Sequence, residues 1–213
     1  MENTIFTVIS ALVVIFFSMV LHEIAHGLVA YWLGDDTAKI NGRFSLNPLK
    51  HIDPFLTIIM PMLMVIGNLF GLGLPIFGGA KPVPVNTMRI KWGAWGLALI
   101  SIAGPLVNFI LAFLFFVVFV SSGGYVQVFS LLGLQINLGF FVFNLIPIPP
   151  LDGSRVLFAL APDGVRKFII SLERYGLMLV FVSLMFFGGV FGSVISTLIN
   201  AIIDLFSKIL MIQ

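Results

Sequence analysis

Between Ile5 and Leu33 the chain is almost wholly apolar, and its histidine and charged side chains there are His22, Glu23 and His26; no Lys or Arg occurs before Lys39. A run of this length and character has one stable state at membrane depth, an α-helix, because each backbone N–H and C=O must be satisfied within the segment. Ionisable groups placed in such a helix are costly and mark function. Here they spell H-E-x-x-H. Residues four apart share a helix face, so both imidazoles can reach one metal ion. Glu23, next to the first of them, is then placed to act as general base toward water activated by that metal. The pattern implies a zinc hydrolase that cuts peptide bonds inside the bilayer or at its edge.

Composition agrees. Of 213 residues, 60% are hydrophobic and 9% charged, against about 25% charged in a soluble domain. The reading is one membrane-embedded domain over residues 1–213, with no separate soluble unit. A net charge of +2 is too small to suggest nucleic acid, and none is expected as a partner. Cysteine is absent, so the metal ligands must come from His and carboxylates. The N-terminus has no cationic start and its apolar run is too long for a cleavable signal.

Apolar length predicts an all-α polytopic membrane protein with about five transmembrane helices, at Ile5–Leu33, Gly93–Val120, Val126–Ile146, Leu172–Phe187 and Ser193–Leu210. Gly188, Gly189 and Gly192 are expected to divide the last two. A sixth apolar segment, Phe55–Phe77, is punctuated by Pro61, Gly67, Gly71, Gly73 and Pro75 and reads as a re-entrant hairpin. That choice puts all eleven Lys and Arg residues on the cytoplasmic side, with the N-terminus external and the active site open to the cytoplasm. Asn41-Gly42, inside Ala38–Leu46, predicts a small β-hairpin near the active site, or else an interfacial turn. Gly78–Asn86, with Pro82 and Pro84, is expected to be extended. Either segment could offer an edge to an unwound substrate.

Two further histidine and carboxylate candidates compete for the third ligand position. His51 lies in a polar stretch near the interface. His22 is about 16 Å below the Leu33 end of its helix at roughly 1.5 Å per residue, so His51 reads as a surface or substrate-gate residue before a ligand. Asp152 is the better candidate. It follows Pro147, Pro149 and Pro150, which prevent a regular helix, and precedes Gly153, which permits a tight turn. Asn68, Asn108 and Asn137 could line a water path or bridge helices.

H-E-x-x-H in a membrane helix, followed by Asn144-Leu145-Ile146-Pro147-Ile148-Pro149-Pro150-Leu151-Asp152-Gly153, resembles the site-2 intramembrane zinc metalloproteases. Ile102-Ala103-Gly104-Pro105-Leu106-Val107-Asn108 resembles that family's glycine-proline segment. The resemblance covers about residues 5–160, the expected catalytic core, with C-terminal helices over about 172–210. It implies one zinc ion held by His22, His26 and Asp152, with Glu23 as base. It also implies that Asn144 helps hold substrate or the developing oxyanion. The chain looks like a short form with no extra span before the motif and no PDZ or nucleotide-sensing domain. Transmembrane proteins would be its substrates, the lipid bilayer its surroundings, and a prokaryotic plasma membrane its location. The competing readings are a catalytically silent relative that binds membrane helices and a metal-handling membrane protein.

Overall fold

The computed structural model describes residues 2–74 and 78–211. Along the chain run α1 (Glu2–Trp32), α2 (Thr37–Ile40), α3 (Met60–Leu69), α4 (Gly93–Ser121), α5 (Gly124–Asn144), α6 (Asp152–Leu160), α7 (Asp163–Glu173) and α8 (Gly176–Ile209). Among the described residues, α1, α4, α5 and α8 are the four helices long and apolar enough to cross a membrane. The chain is an integral membrane protein. Phe17, Leu114 and Val190 are more than half exposed, as side chains facing lipid must be.

α4 is the central helix, packed against α1, α5 and α6. Small buried residues on it, Ala98, Ala103, Gly104 and Ala112, let neighbouring backbones come close; in lipid such packing, not water exclusion, holds helices together. α8 is anchored mainly by Phe206, whose ring lies 5.3, 5.0 and 5.7 Å from those of Phe109, Phe113 and Phe116. Around it Ala112, Leu134 and Leu138 are fully buried. At the other end of the bundle, Arg166 donates to the carbonyls of Phe158 and Ala159 at 3.0 Å and caps α6. Arg155 and Glu173 pair at 2.5 Å and tie α6 to α7.

The hairpin segment enters through a wide π turn at Pro54–Ile59, capped by Asp53, whose carboxylate accepts from Phe55 and Leu56 N–H at 2.9 Å. It continues as α3 and turns. Asn68 clamps that turn, donating to Leu74 C=O at 2.9 Å and accepting from Leu74 N–H at 2.5 Å; it lines no water path. The final residues of the predicted hairpin, 75–77, lie outside the described residues. The chain comes back beside its own entry, with Gly79 N–H on Leu56 C=O at 3.1 Å and the Thr57 hydroxyl on Gly79 C=O at 2.6 Å. Both legs therefore meet at one end.

From there residues 80–86 form an extended strap across α1. Lys81 N–H bonds His51 C=O at 2.8 Å, and Lys91 N–H bonds Leu33 C=O at 2.9 Å. Asn86 N–H bonds the Asp35 carboxylate at 2.6 Å. Asp35 is fully buried and also accepts from Thr37 N–H and the Thr37 hydroxyl.

Two expectations fail. No sheet forms among the described residues, and Ala38–Leu46 is not a β-hairpin. Thr37–Ile40 is helical instead, and Gly42, at φ +65°, closes it: Gly42 N–H bonds Lys39 C=O and Arg43 N–H bonds Ala38 C=O, each at 3.0 Å. A left-handed Gly serves a helix C-cap as well as a hairpin turn, and Asp35 beside Thr37 settles the choice. The second correction is the helix count. The expected Leu172–Phe187 begins in the last turn of α7, and from Gly176 the chain runs as α8, whose two helical arms meet at the non-helical residue Phe187 (φ −121°, ψ 15°) with no loop between them. The kink falls directly before Gly188-Gly189, near the expected division of the segment by its glycines, but the second arm begins at once.

Candidate metal centre

His22 and His26 lie on the face of α1 that packs against α4, each 8% exposed. Their Nε2 atoms are 2.9 Å apart. Asp152 Oδ2 lies 3.3 Å from the first and 3.4 Å from the second. The three donor atoms fall within 4.8 Å of one another. Two bonds of about 2.0–2.1 Å meeting at a tetrahedral angle separate their outer atoms by roughly 3.3 Å, so the spacing suits one small cation.

The ring orientations show which lone pairs face inward. Asn137 donates to Gly133 C=O at 2.8 Å, so its oxygen faces Asn108, whose Nδ2 donates to it at 3.0 Å. That leaves Asn108 Oδ1 to accept from His22 Nδ1–H at 2.6 Å. His26 Nδ1–H donates to Ile100 C=O at 2.7 Å. With both Nδ1 atoms donating, both Nε2 atoms turn lone pairs toward each other and toward a carboxylate. Groups so arranged tolerate this approach around a shared cation. The outer hydrogen bonds fix tautomer and ring angle, as the supports of metal-binding histidines do.

Gly104 makes the space. A Cβ there would lie 2.5 Å from His26 Nε2 and 2.6 Å from His22 Nε2. Pro105, next in α4, loosens the turn before it, and in that turn the Ile100 carbonyl meets His26. Asp152 opens α6 after a string of turns through Ile146, Ile148 and Leu151. Gly153 is needed because a Cβ would run into the Leu145 carbonyl.

Glu23 points elsewhere. Its Oε2 accepts from Val83 N–H at 2.9 Å, so the strap holds it, while Oε1 has no hydrogen bond among the described residues. Over Lys81–Pro84 the strap has no spare N–H: those of Lys81 and Val83 are engaged, and Pro82 and Pro84 have none, so an extended partner could pair there only with carbonyls. His51 is neither a ligand nor at the surface. It is fully buried, donates through Nε2 to Ser45 C=O at 2.8 Å, and its own carbonyl anchors Lys81. Asn144 Nδ2 donates to Phe140 C=O of its own helix at 2.9 Å and has no hydrogen bond to the His22–His26–Asp152 group. Asn108 and Asn137 are fully buried bridges between helices, not a water path.

The sequence reading did not identify the Val83 and Ile100 contacts, because both use backbone atoms that no residue type announces. The prolines flanking Val83 and following Gly104 were the available signals.

A sequence profile described as peptidase family M50 matches residues 120–188. The chain is 44% identical over 177 residues to YwhC of Bacillus subtilis (strain 168), provisionally named a zinc metalloprotease; the match covers 78% of this chain and 75% of that protein. It is 30% identical over 181 residues to Rip2 of Mycolicibacterium smegmatis, provisionally named likewise, covering 78% of this chain and 63% of that one. MJ0392 of Methanocaldococcus jannaschii, named a zinc metalloprotease, is 30% identical over 192 residues, with 87% of this chain and 44% of that protein covered. No solved structure matches.

Proposed function

This chain belongs to the site-2 type of membrane zinc metalloprotease, peptidase family M50, and from that premise we propose that it is an intramembrane endopeptidase cutting transmembrane proteins near the cytoplasmic side. The observation that carries the reading is the meeting of His22, His26 and Asp152 donor atoms within 4.8 Å, with Glu23 next to His22 in the sequence. In this reading the three residues hold one zinc ion. When bound, zinc supplies Lewis acidity, acidifying water and polarising a carbonyl.

The chain's own groups do the rest. Glu23 Oε1, free while Oε2 is held by Val83 N–H, takes the water proton and returns it to the leaving amine. Asn108 and Ile100 keep both imidazoles aimed during the reaction. Asn144, at the end of α5, uses one amide N–H on Phe140 C=O and has a second that could donate to the developing oxyanion. The strap and the α5–α6 turns exclude lipid from the polar cluster.

Glu23→Gln tests the assignment. Zinc should remain at one per chain by elemental analysis, while cleavage of a reconstituted transmembrane substrate falls by roughly 10²–10⁴-fold. Undiminished cleavage removes Glu23 as base. Zinc without cleavage in either form favours a silent or metal-handling relative.

A further inference from the structure

Beside the strap lies a cavity of about 790 Å³. Asn41, Arg43 and Lys50 line one side, Asp53 lies among them, and Lys81–Pro84 form the wall. Arg43 is only 8% exposed. Its Nη1 donates to Lys50 C=O at 2.6 Å and its backbone N–H to Ala38 C=O at 3.0 Å, so its position is built. Among the described residues no carboxylate lies within ion-pair distance of Arg43, Lys50 or Lys81. A guanidinium so withdrawn from water without a counter-anion is costly. Asp53, the carboxylate in the lining, accepts from Phe55 and Leu56 N–H through Oδ1 and forms no ion pair with these three side chains. The lining thus sets three cations, Arg43, Lys50 and Lys81, against one carboxylate, and carries an excess of positive charge.

We propose that this cavity is a carboxylate subsite that binds an acidic residue in the extended cytoplasmic flank of a transmembrane substrate and thereby selects which substrates are cut. The inference rests on the proteolytic reading. Peptide fits better than a lipid headgroup on two counts. Pro82 and Pro84 offer carbonyls without competing N–H groups, which match peptide N–H donors and nothing on a phosphate. The wall also contains Val83, whose N–H holds Glu23, so an occupant lies against the same residues that position the base. The volume is at the upper end for small-ligand pockets and exceeds what a lone anionic group fills.

The test uses full-length protein in phosphatidylcholine nanodiscs and two transmembrane peptides that differ by one Glu or Gln just beyond the cytoplasmic end. Binding is measured to the Glu23→Gln variant, and cleavage with the native chain. The Glu peptide should bind about tenfold more tightly, the order of one charge-assisted contact, with the difference in KM. Lys81→Gln should weaken the preference, since Arg43 and Lys50 remain, and Lys81→Glu should weaken it further. Lys81 is exposed, so the test stands even where Arg43→Gln fails to fold. Equal binding of both peptides overturns the proposal. So does a charge preference absent in phosphatidylcholine but replaced by activation with phosphatidylglycerol, which would assign the cavity to lipid. If the Glu peptide binds better yet neither is cut, the subsite stands and the protease reading falls.

Discussion

The imidazoles of His22 and His26 leave no room for a side chain at residue 104, where even one methyl group would lie 2.5–2.6 Å from both Nε2 atoms. Gly104→Ala should therefore push the rings apart or displace α4 from α1. Zinc affinity should fall by at least about 10–100-fold, the range seen when the supports of a ligand are removed, while the helical content stays unchanged. Zinc titration with a competing chelator, alongside circular dichroism, checks both halves. The meeting of His22, His26 and Asp152 was legible in the sequence, the histidines from their spacing on one helix face and the aspartate from the prolines and glycine around it. Gly104 and Asn108 were legible as a motif, but their tasks, leaving space and fixing a tautomer, need a neighbouring helix to acquire meaning. Asn144 shows the converse. Its motif implies a role at the oxyanion, yet its amide is turned back on α5.

One scale up, the strap joins the hairpin, the end of α1 and the base in a single element. Val83→Pro removes the N–H on Glu23 and changes little else, since residues 82 and 84 are already proline. It should lower kcat by about tenfold, as the loss of a hydrogen bond to a charged group does, with zinc retained; Val83→Ala should preserve the rate. Single-turnover cleavage separates the two. The other end of the strap hangs on Asp35. Burial works against its charge, but the Thr37 hydroxyl, Asn86 and Thr37 N–H, and Arg89 hold its carboxyl below the ordinary value. A lowered folded-state pKa gives stability that is present above the unfolded value of about 3.9 and is lost as pH falls through the folded one. Asp35→Asn should thus cost about 1–3 kcal/mol at pH 7, and the gap to the native chain should close as pH drops below 4. Thermal unfolding in micelles across that range reads it. Sequence predicted an extended Gly78–Asn86, since prolines forbid other structure, and mistook Asn41-Gly42 for a hairpin, since the deciding partner, Asp35 on Thr37, is a side-chain contact outside the dipeptide.

At the scale of the molecule, span number and orientation are separate questions. Apolar length found α1, α4 and α5 nearly to the residue, because lipid imposes a helix on any such run. It counted the two arms of α8 as separate spans: their junction at Phe187 lies where that reading ended the first one, but glycine in sequence does not tell a sharp kink from a loop. Orientation depends on charge. Lys39, Arg43 and Lys50 follow α1, and Arg89 and Lys91 precede α4, so in the proposed topology both of those ends are cytoplasmic and the hairpin between them enters and leaves on that side. In that proposed topology the uncharged link between α4 and α5, around Ser122 and Gly123, falls outside. Gly123 is exposed and a Cβ on it meets nothing within 4 Å, so Gly123→Cys is a benign reporter in a chain without native cysteine. In intact cells that thiol should react with a membrane-impermeant maleimide, and a cysteine replacing Lys50 should react only after lysis. The reverse pattern would turn the whole bundle over and put the His22–His26–Asp152 cluster within reach of the outer face. The substrate flank in the Arg43 cavity would then come from the external side, where the same carboxylate chemistry would act on a different set of proteins.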